Sequence, residues 1–212
     1  MHIVAVCAQK GGVSKTTISQ CLAIEALKEG RRAAIVDMDP QGSCAKWGQR
    51  REAKGIPVPA VIHAHERPVH EIIEELRSKQ AGVVFIDTPP LVTPALNAAL
   101  GVATASVLVT RPNPLDLDAL AATWTIVRHF PQLRAAALIT QAPPGGRAKA
   151  LGLARERLKK LDIPMCETAL SYSLSYPYAQ AESLAPQERE PSSKARAELA
   201  EVWGELKRAR IV

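Results

Sequence analysis

Short apolar runs alternate with helical patterns along the whole chain. The runs predict strands over IVAVCA (3–8), AAIVDM (33–38), VPAVIHA (58–64), GVVFID (82–87), ASVLVT (105–110), AAALIT (135–140) and MCETAL (165–170). Most are continuous rather than alternating, the pattern of strands buried on both faces. Between them the apolar positions follow helical spacing. One helix is expected from about Lys15 to Glu29, with Ile18, Cys21, Leu22 and Ala26 on one face and Gly30 as its stop. Another carries Val69, Ile72, Ile73 and Leu76. Strand–helix alternation implies right-handed βαβ crossovers, hence an α/β fold with a mainly parallel sheet flanked by helices on both faces.

The 212 residues suit a single domain over 1–212. Aromatic residues make up only 4% of a chain that is 47% hydrophobic, so the core is expected to be Ala, Val, Leu and Ile. No internal repeat or low-complexity stretch interrupts the pattern. The Pro/Gly-rich points Pro112–Pro114 and Pro143–Gly146 each follow a strand, which makes them loops at the carboxyl edge of the sheet, where open α/β sheets bind ligands. The four cysteines (Cys7, Cys21, Cys44, Cys166) form no CxxC pair, and Met1 leads straight into a strand, so a reducing, cytoplasmic compartment is expected. No apolar run reaches the roughly 18 residues of a membrane span. The five histidines, His63 and His65 among them, show no zinc-ligand grouping.

The segment AQKGGVSKTT (8–17) joins the first strand to the first helix. Gly11 and Gly12 let the backbone turn tightly, so that the loop through Val13, Ser14 and Thr17 aims N–H groups at phosphate oxygens. Lys15 reaches the β- and γ-phosphates, the Thr16 hydroxyl ligates Mg²⁺, and the helix N-terminus favours an anion. ATP with Mg²⁺ is the expected ligand. The second strand ends VDMDPQGS (36–43), placing Asp37 and Asp39 beside this loop; a carboxylate there orients water, or caps a helix beginning near Gln41. The fourth strand gives VVFIDTPP (83–90), four apolar residues followed by Asp87, a Walker B pattern that holds Mg²⁺.

The loop departs from GxxxxGK[ST], with Gln9 and Ser14 at the glycine positions. KGGVSKTT resembles instead the deviant Walker A motif, KGGxGKT[ST], of the ParA/MinD family, most like short ParA (ParF-type) partition proteins. Ser14 departs from that form too, and a serine forced to φ > 0 is strained by about 1 kcal/mol. The resemblance implies that Lys10 crosses a dimer interface to the partner subunit's nucleotide. It implies that Asp39 positions the attacking water and that Asp37 supports the metal's water shell. DMDPQ and IDTPP are similar to the family's switch strings. TRPNPLDLDAL (110–120) is similar to the proline-rich segment over the nucleotide, which brings in Pro112. LITQ (138–141) matches the strand end that contacts adenine, implicating Gln141 where Asn or Arg is more usual.

The implied activity is a ParA-type partition or positioning ATPase: an ATP-dependent homodimer on non-specific DNA, nucleoid-associated, stimulated by a ParB-like adaptor. A net charge of +6 leaves nucleic acid, anionic lipid and acidic protein open as partners. Basic residues cluster late, at Arg147, Lys149, Arg155, Arg157, Lys159 and Lys160 and at Lys194, Arg196, Lys207, Arg208 and Arg210. The apolar stripe Ala195, Leu199, Val202, Trp203 and Leu206 packs on the domain or lies on a membrane; Glu198, Glu201 and Glu205 interrupt its basic flank and disfavour lipid. Tyr172, Tyr176 and Tyr178 stack on a partner or base, or pack on the core. Rival readings are a MinD-like or protein-cargo positioning ATPase, an amide-forming enzyme of the same superfamily, and a binding module with little hydrolysis. An iron–sulfur reductase is disfavoured, since no cysteine lies between Cys44 and Cys166.

Overall fold

The computed structural model describes residues 1–64, 67–90, 93–143 and 148–212. Six parallel strands lie in the order β3-β2-β4-β1-β5-β6. They are β1 His2–Cys7, β2 Ala33–Asp37, β3 Ala60–His63, β4 Val83–Asp87, β5 Ala105–Thr110 and β6 Arg134–Ile139. The helices are α1 Lys15–Lys28, α2 Ser43–Ala53, α3 Val69–Ser78, α4 Pro94–Val102, α5 Pro114–Val127, α6 Ala148–Lys160, α7 Ser175–Ala181, α8 Pro186–Arg189 and α9 Lys194–Arg208.

The continuous apolar runs are explained by the two cores they separate. Val4 and Val6 of β1, with Val83 and Phe85 of β4, face the side covered by α1, α2 and α9. Ile3, Ala5 and Cys7, with Val84 and Ile86, face the side covered by α3, α4, α5 and α6. Both residues of each alternating pair are therefore buried, and the polar half of a one-sided strand is missing. Val69, Ile72, Ile73 and Leu76 of α3 are buried as their spacing predicts. The stripe of α9 is spent on the core: Ala195, Leu199, Val202, Trp203 and Leu206 are all buried. All four cysteines are buried and free. Among the described residues no helix is long and apolar enough to cross a membrane.

Two expected strands differ. The third begins at Ala60 rather than Val58, because Pro59 has no N–H to give the ladder. The expected seventh strand over 165–170 is absent. The segment touches the β6 edge only at its ends, through Cys166 N–H to the Ala137 carbonyl (2.9 Å) and Leu170 N–H to the Ile139 carbonyl (2.9 Å). Between them the chain bulges away, and α9 supplies the missing acceptors. Glu205 accepts the N–H groups of Glu167 (2.6 Å) and Thr168 (3.0 Å), and Glu198 accepts that of Ser171 (2.8 Å). The glutamates that interrupt the basic flank of α9 thus satisfy backbone that a strand would have satisfied.

β1 lies at the centre of the sheet with β4 on one side and β5 on the other. Connections leave β1 toward β2 first and cross to β5 only after β4, which opens a crevice at the carboxyl ends of the central strands. Because α9 closes one core, Leu199→Ala is expected to lower unfolding free energy by about 2–5 kcal/mol. Lys207→Ala, on the exposed rim where Lys207 pairs with Glu29, is expected to change it by about 0.5 kcal/mol or less. Urea unfolding followed by circular dichroism measures both; equal losses would show that α9 is not part of the cooperative core.

Candidate nucleotide site

The turn from β1 into α1 is built from alternating backbone signs. Gly12 (φ 74°) and Ser14 (φ 76°) are left-handed on either side of buried Val13. Glycine adopts this conformation freely, whereas for Ser14 it costs about 1 kcal/mol. Ser14 is also the residue preceding α1, yet its side chain caps nothing, and the first turn of α1 carries no acidic residue. The N-terminal N–H groups and their dipole are thereby left for an external anion.

Lys15 is buried, and its Nζ lies 3.4 Å from the Lys10 carbonyl oxygen. Burial pushes its pKa down, against the favourable charges of Asp87 and Asp39. The Thr16 hydroxyl donates to Oδ2 of Asp87 (2.7 Å), joining the two residues expected to hold the metal. Oδ1 of Asp87 is buried and has no hydrogen-bond partner among the described residues. Asp87 stands opposite Asp37 in the β2–β4 register, and both carboxylates are buried. Burial first, then Asp37, lifts Asp87 from the ordinary 3.8 to about 7, while the Thr16 hydroxyl and Lys15 pull the other way. Asp37 is also raised by burial, opposed by the N–H groups of Ala45 and Asp39. A buried carboxylate pair with an orphaned oxygen and one threonine hydroxyl is a hard-oxygen donor set short of positive charge. It fits Mg²⁺, which would be held by Thr16 and Asp87 and screen phosphate charge when bound.

The two switch aspartates differ. Asp37 accepts from Asp39 N–H (3.0 Å) and Ala45 N–H (2.9 Å), so it fixes the turn into α2 and takes one N–H of that helix's first turn, whose N-cap residue is Gly42. The helix-start alternative in the sequence is therefore taken by Asp37. Asp39 is half-buried; its Oδ1 accepts Gln41 N–H (2.9 Å). His63, at the end of β3, donates from Nε2 to the Asp39 carbonyl (3.2 Å). Its ring packs on Gly42 (φ 62°), where a Cβ would come within 3.3 Å of His63 Cε1. Lys10 is exposed.

Beside the loop lies a cleft of about 430 Å³ lined by Ser14, Thr17, Thr140, Gln141, Leu170–Ser173, Tyr176, Pro177 and Gln180. Its far wall, the 170–180 segment, belongs to no strand and carries Tyr172 and Tyr176, two of the tyrosines for which stacking or core packing was left open. Tyr176 is largely buried, whereas Tyr172 (61%) and Tyr178 (53%) are exposed. Gln141 reaches the loop, donating to the Gly12 carbonyl (2.9 Å) and Ser14 Oγ (2.9 Å). Pro112 lies at the end of β5 and does not line this cleft.

The sequence profile described as an AAA domain matches residues 1–81. The maintenance of carboxysome distribution protein A of Gloeobacter kilaueensis is 33% identical over 86% of this chain and 82% of its own. The chain belongs to the ParA/MinD family of Walker A ATPases. The chromosome-partitioning ATPase Soj of Thermus thermophilus is 31% identical over 47% of this chain and 52% of its own. The septum site-determining protein MinD of Pyrococcus horikoshii, solved with Mg-ADP, superposes with TM-score 0.74 over 97% of this chain and 95% of that one; at 18% identity this likeness speaks for the fold.

Within this ATPase the late basic residues lie on two helices that pack on different cores, α6 on one and α9 on the other. Several are engaged: Arg157 with Asp118, Arg155 with the Glu167 carbonyl, Lys207 with Glu29 and Lys194 with Glu198. Lys159 and Lys160 are exposed and make no ion pair among the described residues. Arg147 and His65 lie outside the described residues, as do residues 144–146 of the loop after Pro143.

The raised Asp87 carboxyl has a sign that can be checked. Between about 3.8 and about 7 the folded state holds a proton that the unfolded state has lost. Its contribution to stability therefore falls as pH rises through that window in the nucleotide-free protein. Asp87→Asn is expected to flatten this decline and to stabilise the nucleotide-free protein at neutral pH. Thermal unfolding at pH 5 and pH 7.5 measures it; an unchanged slope in the variant would place the burden elsewhere.

Proposed function

We propose that this chain is a nucleotide-switched positioning ATPase: ATP and Mg²⁺ bind at Gly11–Thr17, two copies join across the nucleotide, and the dimer binds DNA without sequence preference. The reading is carried by one observation, the hydrogen bond from Thr16 to a buried Asp87 with an orphaned oxygen, directly beneath a loop with Lys15 at its base.

The roles follow from where each group sits. Lys15, already buried and short of an anion, neutralises the β- and γ-phosphates. The loop N–H groups hold the phosphate oxygens. Thr16 and Asp87 hold the metal, with Asp37 fixing the geometry behind them. Asp39, half-buried, has one carboxylate oxygen with no hydrogen bond among the described residues and orients the attacking water. Lys10, exposed, reaches the nucleotide of a second copy in this reading, so hydrolysis depends on pairing. Gln141 and the tyrosine-bearing wall of the cleft face the base and ribose. An adaptor of the ParB kind stimulates hydrolysis, and the DNA surface comprises unpaired late cations such as Lys159 and Lys160.

Cargo can be a protein assembly or a DNA molecule. The relative matched over most of the chain is named for carboxysome distribution, which favours a protein assembly. Unchanged plasmid retention on deletion of the gene, with mis-spacing of a protein body, is the expected outcome; plasmid loss would reverse that choice.

Lys15→Ala is expected to abolish binding of ATP in a calorimetric titration, and retained affinity would refute its phosphate role. Asp39→Ala is expected to bind ATP normally, to lose hydrolysis by two or more orders of magnitude, in the range of a lost positioning group, and to give persistent dimers by light scattering. Normal turnover in that variant would move water activation to another residue. A random-sequence DNA duplex titrated with ATP, with ADP and without nucleotide, at two salt concentrations, tests the switch. Binding confined to ATP and weakening steeply with salt is expected; binding in no state would remove DNA from the reading.

A further inference from the structure

Ser14 and Gln141 are the positions where the nucleotide-facing loops depart from the family strings, and the fold brings them into contact. Gln141 Nε2 donates to the Gly12 carbonyl and to Ser14 Oγ, both at 2.9 Å. Its neighbour Thr140, buried, donates from Oγ1 to the Val13 carbonyl (3.0 Å). Three consecutive loop residues are thus held by two residues at the end of β6. The Gly12 carbonyl can only accept, so the nitrogen of the Gln141 amide must face the loop, and its two hydrogens are both used there. Only Oε1 remains for a ligand in the cleft.

Both partners are themselves left-handed, Ser14 at φ 76° and Gln141 at φ 51°. A non-glycine residue persists in that region when its surroundings over-determine it. We propose that Gln141 is a positioning residue for nucleotide binding. It clasps the phosphate loop through Ser14 and holds the left-handed turn that a glycine would adopt unaided. The two departures are one device: serine at 14 introduces strain and also provides the hydroxyl through which residue 141 offsets it. Gln141 consequently offers the base an acceptor and no donor, unlike an amide free on both sides. The proposal rests on the nucleotide reading above, and its test separates the two.

Mg-ADP is titrated calorimetrically into the wild type, Gln141→Ala, Ser14→Gly and the double variant. Gln141→Ala is expected to weaken binding by about three- to tenfold, the worth of one or two hydrogen bonds. Ser14→Gly should bind at least as tightly as the wild type, and Gln141→Ala should cost less in that background. Equal losses in both backgrounds, or no loss at all, would overturn the clasp. Hydrogen exchange of the amides of residues 11–17 in nucleotide-free protein is the second readout. Faster exchange in Gln141→Ala, with the melting temperature held, supports the clasp; unchanged exchange overturns it. A wild type that fails to bind Mg-ADP while Gln141→Ala still loosens the loop would sink the nucleotide reading and leave the clasp standing.

Discussion

Two carboxylates, Asp37 and Asp87, stand opposite one another at the ends of adjacent strands, where the sheet excludes water. Isolated, such a pair is unfavourable, and burial raises both groups. Much of the site consists of responses to that constraint. Asp37 is answered by backbone N–H groups, which fixes the turn 37–42 and starts α2. Asp87 is answered by one threonine hydroxyl and by the nearby charge of Lys15, which is incomplete. In the proposed reading, a metal–phosphate ligand would set a cation at Asp87 and an anion at Lys15 together, so that ligand binding and local electrostatic relief would be one event.

The surroundings hold the site by spending polar groups that the sequence presents as surface. The glutamates of α9 take backbone N–H groups from 167–171, so that segment leaves the sheet edge and forms the wall of the cleft. Arg51 is buried in α2 and pairs with Glu188 of α8 (2.8 Å) while donating to the Val58 carbonyl. The helix that follows Asp39 is therefore fixed to the segment that follows the cleft wall. Removing one partner of such a pair strands a buried charge and is strongly destabilising. The basic residues of α6 and α9 also have local partners, Arg157 with Asp118 and Lys207 with Glu29 among them.

Hydrophobic periodicity placed five of the strands to within about a residue, because a strand buried on both faces has no polar register to confuse and its apolar run ends where the sheet ends. It also placed α1 and α3. The segment 165–170 reads the same way, yet its hydrogen bonds are decided by α9, far along the chain, and it is not a strand. Local composition cannot report which distant carboxylate will capture a backbone N–H.

By itself the sequence determined the strand–helix alternation, the phosphate loop at 8–17 and the acidic strand ends, since each depends on residues adjacent in the chain and on backbone chemistry that travels with them. Tertiary structure decided the rest. It gave an N–H of the first turn of α2 to Asp37 and left Asp39 one oxygen with no hydrogen bond among the described residues; it brought His63 against the switch turn and gathered the cleft from segments more than a hundred residues apart. It also brought Gln141 against Ser14. These are outcomes of burial and competition for hydrogen bonds among residues that meet only when the sheet closes, and no local pattern encodes that competition.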